Sequence, residues 1–150
     1  MSRLRLLLLL SAVLLAGCNE ERNVGKDDLA SMAGGELKET VPVSGTVNVD
    51  GLPAKDVFIY AYAKGDLTKP VATIQTKPDG TYCWTTYAIC DGLPPGEYTL
   101  AFAYIPDEGK GKKEGEDLLG GKYRNPSKSE FTLQVSGGAP QTNVNYELEP

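Results

Sequence analysis

Apolar and polar positions alternate from Val41 almost to the C-terminus, in short runs separated by turn residues. In VPVSGTVNVDG, Val43, Val47 and Val49 share one face and Asp50-Gly51 is a turn signal, so this segment reads as a strand entering a hairpin. AKDVFIYAYAKGD follows, with Val57, Ile59 and Ala61 on one face and Phe58, Tyr60 and Tyr62 on the other. PVATIQTKPDG sets Val71, Thr73 and Gln75 opposite Ala72, Ile74 and Thr76, and it ends in a Pro78-Asp79-Gly80 turn. TYCWTTY reads as a fourth strand. GEYTLAFAYI reads as a fifth, with Tyr98, Leu100, Phe102 and Tyr104 on one face. After a long polar loop, SEFTLQVS and TNVNYELE close the pattern, split by Gly137-Gly138 and Pro140. Seven short strands with no convincing helix predict an all-β, antiparallel sandwich occupying residues 41–150.

The chain ahead of Val41 follows different rules. Arg3 and Arg5 precede an apolar run from Leu6 to Leu15, which is too short for a membrane span and reads as an export signal over residues 1–17. Leu15-Ala16-Gly17-Cys18 resembles the lipobox of bacterial lipoproteins. That resemblance implies acylation of the Cys18 thiol, cleavage just before it, and a palmitate-type anchor in a membrane. Asn19, standing where an inner-membrane retention Asp is absent, favours the outer membrane on the same resemblance. Residues 18–40 are polar, charged and without period, and read as a flexible tether. Two or three acyl chains, at about 0.8 kcal/mol per buried methylene, would hold the protein on a bilayer.

Charge narrows the partners. The chain carries 15 basic and 20 acidic side chains; loss of Arg3 and Arg5 with the signal would leave 13 against 20, a net of −7. Such a domain is poorly suited to nucleic acid, whose binding needs phosphate neutralisation by Lys and Arg. No histidine is present, which excludes a Ser-His nucleophile. Asp91, Glu97, Asp107, Glu108, Glu114, Glu116 and Asp117 offer carboxylates, but glycosidase chemistry needs two of them at a fixed separation, and no EF-hand spacing is present. No enzyme activity, cofactor or metal is expected.

Several motifs then match in order: G-x-V-x-x-x-G-x-P at Gly45–Pro53, D-G-x-Y at Asp79–Tyr82, P-P-G-x-Y at Pro94–Tyr98 and Y-x-N-P at Tyr123–Pro126. Over residues 42 to 149 the chain resembles small bacterial lipoproteins with a carboxypeptidase-regulatory-like, or transthyretin-like, domain. The resemblance implies a prealbumin-like seven-strand Greek-key sandwich serving as an accessory or adhesive module, with Tyr98 pinning its strand to the opposite sheet. Cys90 departs from the family, which often has Gly there.

With Cys18 assigned to lipid, Cys83 and Cys90 remain as an even pair in an oxidising compartment and are expected to form a disulfide. The bond would close an eight-residue loop and stabilise by roughly 2.5 kcal/mol. Zinc would lack half its ligands, and the spacing is not C-x-x-C. Since Cys83 is out of step with Tyr82 and Trp84, a core position for those rings places the thiol on the outer side of its sheet.

Two segments are candidate binding surfaces. Phe58, Tyr60 and Tyr62 form either an exposed stacking platform for a glycan or partner protein, or a half-covered stripe, or the core itself. In the loop 106–128, the charged, Gly-rich first half reads as mobile, while Leu118 or Leu119 and Tyr123 either cap one end of the core or form a recognition edge. The expected function is that of a membrane-anchored, non-enzymatic binding or structural module, with a cell-wall glycan module or an accessory subunit of an envelope complex as alternatives.

Overall fold

The computed structural model describes residues 36–106 and 115–150. The signal, Cys18, the tether through residue 35 and the 107–114 part of the long loop lie outside the described residues.

Among the described residues eight strands are present: β1 (Ser44–Val49), β2 (Leu52–Pro53), β3 (Val57–Ala63), β4 (Ala72–Gln75), β5 (Thr81–Cys83), β6 (Gly96–Tyr104), β7 (Thr132–Val135) and β8 (Tyr146–Leu148). A single 3-10 turn at Pro126–Lys128 precedes β7 and is capped by Asn125, whose side chain accepts from the Ser127 N–H. They form two four-stranded sheets. One has the order β4-β3-β6-β7 and is wholly antiparallel. In the other, β1 is central, antiparallel to β2 and β5 and parallel to β8.

Two expectations are corrected here. The extra strand is β2, the short return arm of the Asp50-Gly51 hairpin, whose two turn residues both have positive φ (52° and 75°) as a type I′ connection requires. The sandwich is also not entirely antiparallel. After β7 the chain crosses to the other sheet, joins β1 at the Val43–Gln141 bridge, and then runs in the same direction as β1 through the Val47–Tyr146 to Val49–Leu148 pairs. Alternation predicts which face a residue occupies and says nothing of the direction of its partner strand.

One apolar face from each sheet meets its counterpart in the core between the sheets. Val43, Val47, Tyr82 and Leu148 come from one sheet, and Val57, Ile59, Leu100, Phe102 and Val135 from the other; all are buried, as is Trp84 just beyond β5. Phe102 belongs to an aromatic cluster, with ring centroids 5.1 Å from Phe131 and 5.3 Å from Tyr146. Thr76, a buried polar residue, is tied locally: its hydroxyl donates to Ala54 O (2.7 Å) and accepts from the Val57 N–H (2.9 Å). The Tyr82 hydroxyl crosses to donate to Val144 O at 2.6 Å. Burial pushes the Tyr146 phenol up to about 12 and shifts Tyr82 upward as well, so both remain neutral at physiological pH.

Tyr98 is buried but does not pin its strand to the opposite sheet through its hydroxyl. That group donates to Pro94 O, four residues upstream, at 2.7 Å. The ring therefore locks the Pro94-Pro95-Gly96 approach to β6 onto the strand that follows, in the manner of a tyrosine corner.

Candidate functional site

Cys83 and Cys90 form a disulfide with Cα atoms 5.1 Å apart. Tyr82 and Trp84 are buried, and Cys83 lies half-buried on the outer side of β5, where its phase against them puts it. A second device closes the same loop. The Asp91 carboxylate accepts the N–H groups of Thr86 (2.7 Å), Tyr87 (2.9 Å) and Ala88 (3.1 Å), while Cys90 N–H donates to Thr85 Oγ1 at 3.0 Å. Ile89 stands at the tip of this loop, fully open to solvent. A Cys83→Ser, Cys90→Ser double variant is expected to lose about 2.5 kcal/mol of unfolding free energy in urea. A midpoint equal to that of the parent would show that the Asp91 network alone restrains the loop.

The aromatic stripe is on the outer face of the β4-β3-β6-β7 sheet. Val57, Ile59 and Ala61 point into the core, while Phe58, Tyr60 and Tyr62 are half-exposed. Phe58 and Tyr60 are nearly parallel, with centroids 6.3 Å apart and planes 19° from each other. The register sets Phe58 against Ala103 and Tyr60 against Ala101, and both alanines are wholly buried although they occupy outer-face positions. Small residues on β6 thus let the β3 rings lie over the sheet. This makes a low, apolar floor bordered by the exposed Thr73 and Gln75 of β4. Val71, more than half exposed, extends the same alternation at the start of β4 and donates its N–H to Ala61 O at 2.8 Å. It escaped the sequence reading of the stripe, although its phase with Thr73 and Gln75 would have shown its face once β4 was paired with β3.

The loop candidates separate. Leu119 is in the core. Tyr123 packs on Phe131 with centroids 5.7 Å apart, and its hydroxyl accepts from Glu149 N–H and donates to Glu149 O, so it clamps the C-terminal end of the chain. Leu118 is more than half exposed, and its N–H donates to Tyr104 O. The turn that carries them is organised by Asp117, whose carboxylate accepts the N–H groups of Tyr104, Leu119 and Gly121. The described second half of the loop therefore runs along the β6 edge.

Of the described carboxylates considered for chemistry, Glu116 is exposed and the other three serve the backbone or an ion pair. Asp91 and Asp117 are engaged as above, and Glu97 pairs with Lys64 at 2.6 Å. Asp107, Glu108 and Glu114 lie outside the described residues. Among the described residues no group of three or more His, Cys, Asp or Glu side chains is placed to hold a metal ion.

No family model matches the chain, and no curated protein is significantly similar to it.

Proposed function

We propose that the protein is an exported, lipid-anchored envelope module with a prealbumin-like Greek-key sandwich, and that it binds glycan on the outer aromatic face of its β4-β3-β6-β7 sheet without catalysing a reaction. The observation that carries this reading is the half-exposed stripe of Phe58, Tyr60 and Tyr62, with two of its rings nearly parallel, mounted on a four-stranded sheet. Flat rings held by a rigid strand present apolar area at small entropic cost, and the axial C–H face of a sugar ring is a complementary surface. Thr73 and Gln75 supply hydrogen-bonding groups at the edge of the floor. The Cys18 anchor and its tether would confine the module near the cell wall, where effective concentration lets weak contacts suffice.

The full-length protein and a Tyr60→Ala, Tyr62→Ala variant are to be compared by co-sedimentation with purified insoluble cell-wall glycan. At about 0.5–1.5 kcal/mol for each ring, removal of both lowers affinity about tenfold. Equal sedimentation of the two proteins would refute the aromatic face as the glycan site. Mass spectrometry of the protein produced in its own envelope tests the anchor, since an unacylated Cys18 removes that part of the reading.

A further inference from the structure

On the opposite side of the molecule, the outer face of β1 and β5 carries a cleft of about 490 Å³ lined by Ser44, Thr46, Lys77, Cys83, Cys90 and Asn143, among others. Its floor is the β1–β5 ladder, where Ser44 pairs with Cys83 and Thr46 with Thr81. On the other side of β1 the chain bulges. Ser44 N–H donates to Gln141 O and Val144 N–H donates to Ser44 O, and the exposed Thr142 and Asn143 stand out between these two bonds. The volume lies within the range of about 300–1,000 Å³ usual for small-molecule sites.

Two independent features mark this cleft as built. Among the described residues, four non-glycine positions have positive φ, and two of them, Cys90 (60°) and Asn143 (61°), line it. Such backbone is uncommon outside glycine and concentrates where surrounding structure fixes a functional surface. Cys90 is fixed by its disulfide and by the Thr85 hydroxyl. The second feature is charge. Lys77 is the one charged side chain in the lining, in a chain whose net charge is −5, and it makes no ion pair among the described residues. Asp79, two residues on, accepts the hydroxyl and N–H of Thr81, and these bonds, with a smaller attraction from Lys77, hold its carboxyl below the usual carboxylate range. Ser44, Thr46, Thr142 and Asn143 line the same cleft, and their hydroxyl and carboxamide groups donate and accept alike.

We infer that this cleft binds a carboxylated sugar, with Lys77 on the carboxylate and the Ser44, Thr46, Thr142 and Asn143 side chains on ring hydroxyls. A single ammonium matches the single charge of a carboxylate, and the hydroxyl and carboxamide groups of the lining match ring hydroxyls. The cleft is on the opposite sheet from the aromatic stripe and stands or falls without it. The disulfide gains a second role here, as part of the wall of the site.

The test uses the full-length, isotope-labelled protein in detergent, titrated with glucuronic acid and, in parallel, with glucose, and followed by backbone amide shifts. Glucuronic acid is expected to shift the amides of Ser44, Thr46 and Asn143 and to bind about tenfold more tightly than glucose, the advantage of one charge-assisted contact. Lys77→Gln, an exposed substitution that leaves the spectrum folded, is expected to abolish that preference. Asn143→Gly, which suits the positive φ, should weaken both sugars equally. The Tyr60→Ala, Tyr62→Ala variant should respond as the parent does. Shifts confined to the aromatic face, equal affinity for the two sugars, or a preference that survives Lys77→Gln would each overturn the assignment.

Discussion

A Gly45→Ala variant is expected to be recovered unfolded or insoluble, Gly92→Ala is expected to behave the same way, and Gly51→Ala is expected to fold. All three glycines sit in or beside the β1 region, and the difference lies in what a methyl group would meet. At Gly45 a Cβ would stand 1.9 Å from Val144 O and 2.5 Å from its carbonyl carbon. That carbonyl accepts from the Tyr82 hydroxyl and the Val144 N–H donates to Ser44 O, so retreat of the crossing segment would break both bonds. At Gly92 a Cβ would stand 1.7 Å from Val41 O, where Val41 and Leu93 exchange both backbone hydrogen bonds, and φ is +96°. Each clash is with backbone in a paired position, and relief requires separating elements of the sandwich. A cost above about 4 kcal/mol is the expected order, a large part of the stability of a domain this size. Gly51 also has positive φ, at 75°, but nothing lies within 4 Å of its added methyl, so alanine there bears only the left-handed backbone cost of about 1–2 kcal/mol. Urea denaturation of the three purified variants decides the matter. If Gly45→Ala and Gly51→Ala unfold at similar midpoints, the close packing of Val144 over β1 is wrong.

These glycines also show where sequence reading stops. Gly51 is legible, because Asp-Gly between alternating runs names its own turn chemistry. Gly45 and Gly92 are glycines for a reason that lies far along the chain, at Val144 and Val41, and no local pattern points there. The same division holds for the functional surfaces. Period-two alternation identified Phe58, Tyr60 and Tyr62 as one face and placed Cys83 opposite Tyr82 and Trp84, since side chains on a strand must alternate. Which β3 face would be buried was left open, because both are apolar. The choice is made by β6, whose inward side offers Leu100 and Phe102 and whose outward side offers Ala101 and Ala103. Leu118 and Leu119 could not be told apart without knowing that Asp117 anchors their turn to Tyr104. The cleft beneath the disulfide was beyond reach for a similar reason, being assembled from four separate parts of the chain.

Phe102→Ala is expected to cost about 4 kcal/mol, while Phe58→Ala costs about 1 kcal/mol. The two phenylalanines are on neighbouring paired strands and one register step apart, Phe58 facing Ala103 and Ile59 facing Phe102, yet they belong to opposite faces. Phe102 is wholly buried and touches two rings, Phe131 edge-on and Tyr146 at a tilt, which hold the β6 edge segment and β8 to the core. Its removal loses the transfer free energy of the ring and leaves a cavity that neighbours in both sheets cannot fill without moving. Phe58 is half-exposed, so its loss uncovers Ala103 and ends a stacking contact with Tyr60, while the interior stays filled. Thermal unfolding should therefore separate the variants by more than about 10 °C, at roughly 4 °C per kcal/mol for a domain of this length. Equal or reversed costs would mean that the β3 stripe is core, and the glycan face proposed for it would go with that result. The expected order, accompanied by tenfold weaker glycan sedimentation from the Tyr60→Ala, Tyr62→Ala variant, would show that β3 spends its two faces on different tasks: Val57, Ile59 and Ala61 on stability, and the three rings on recognition.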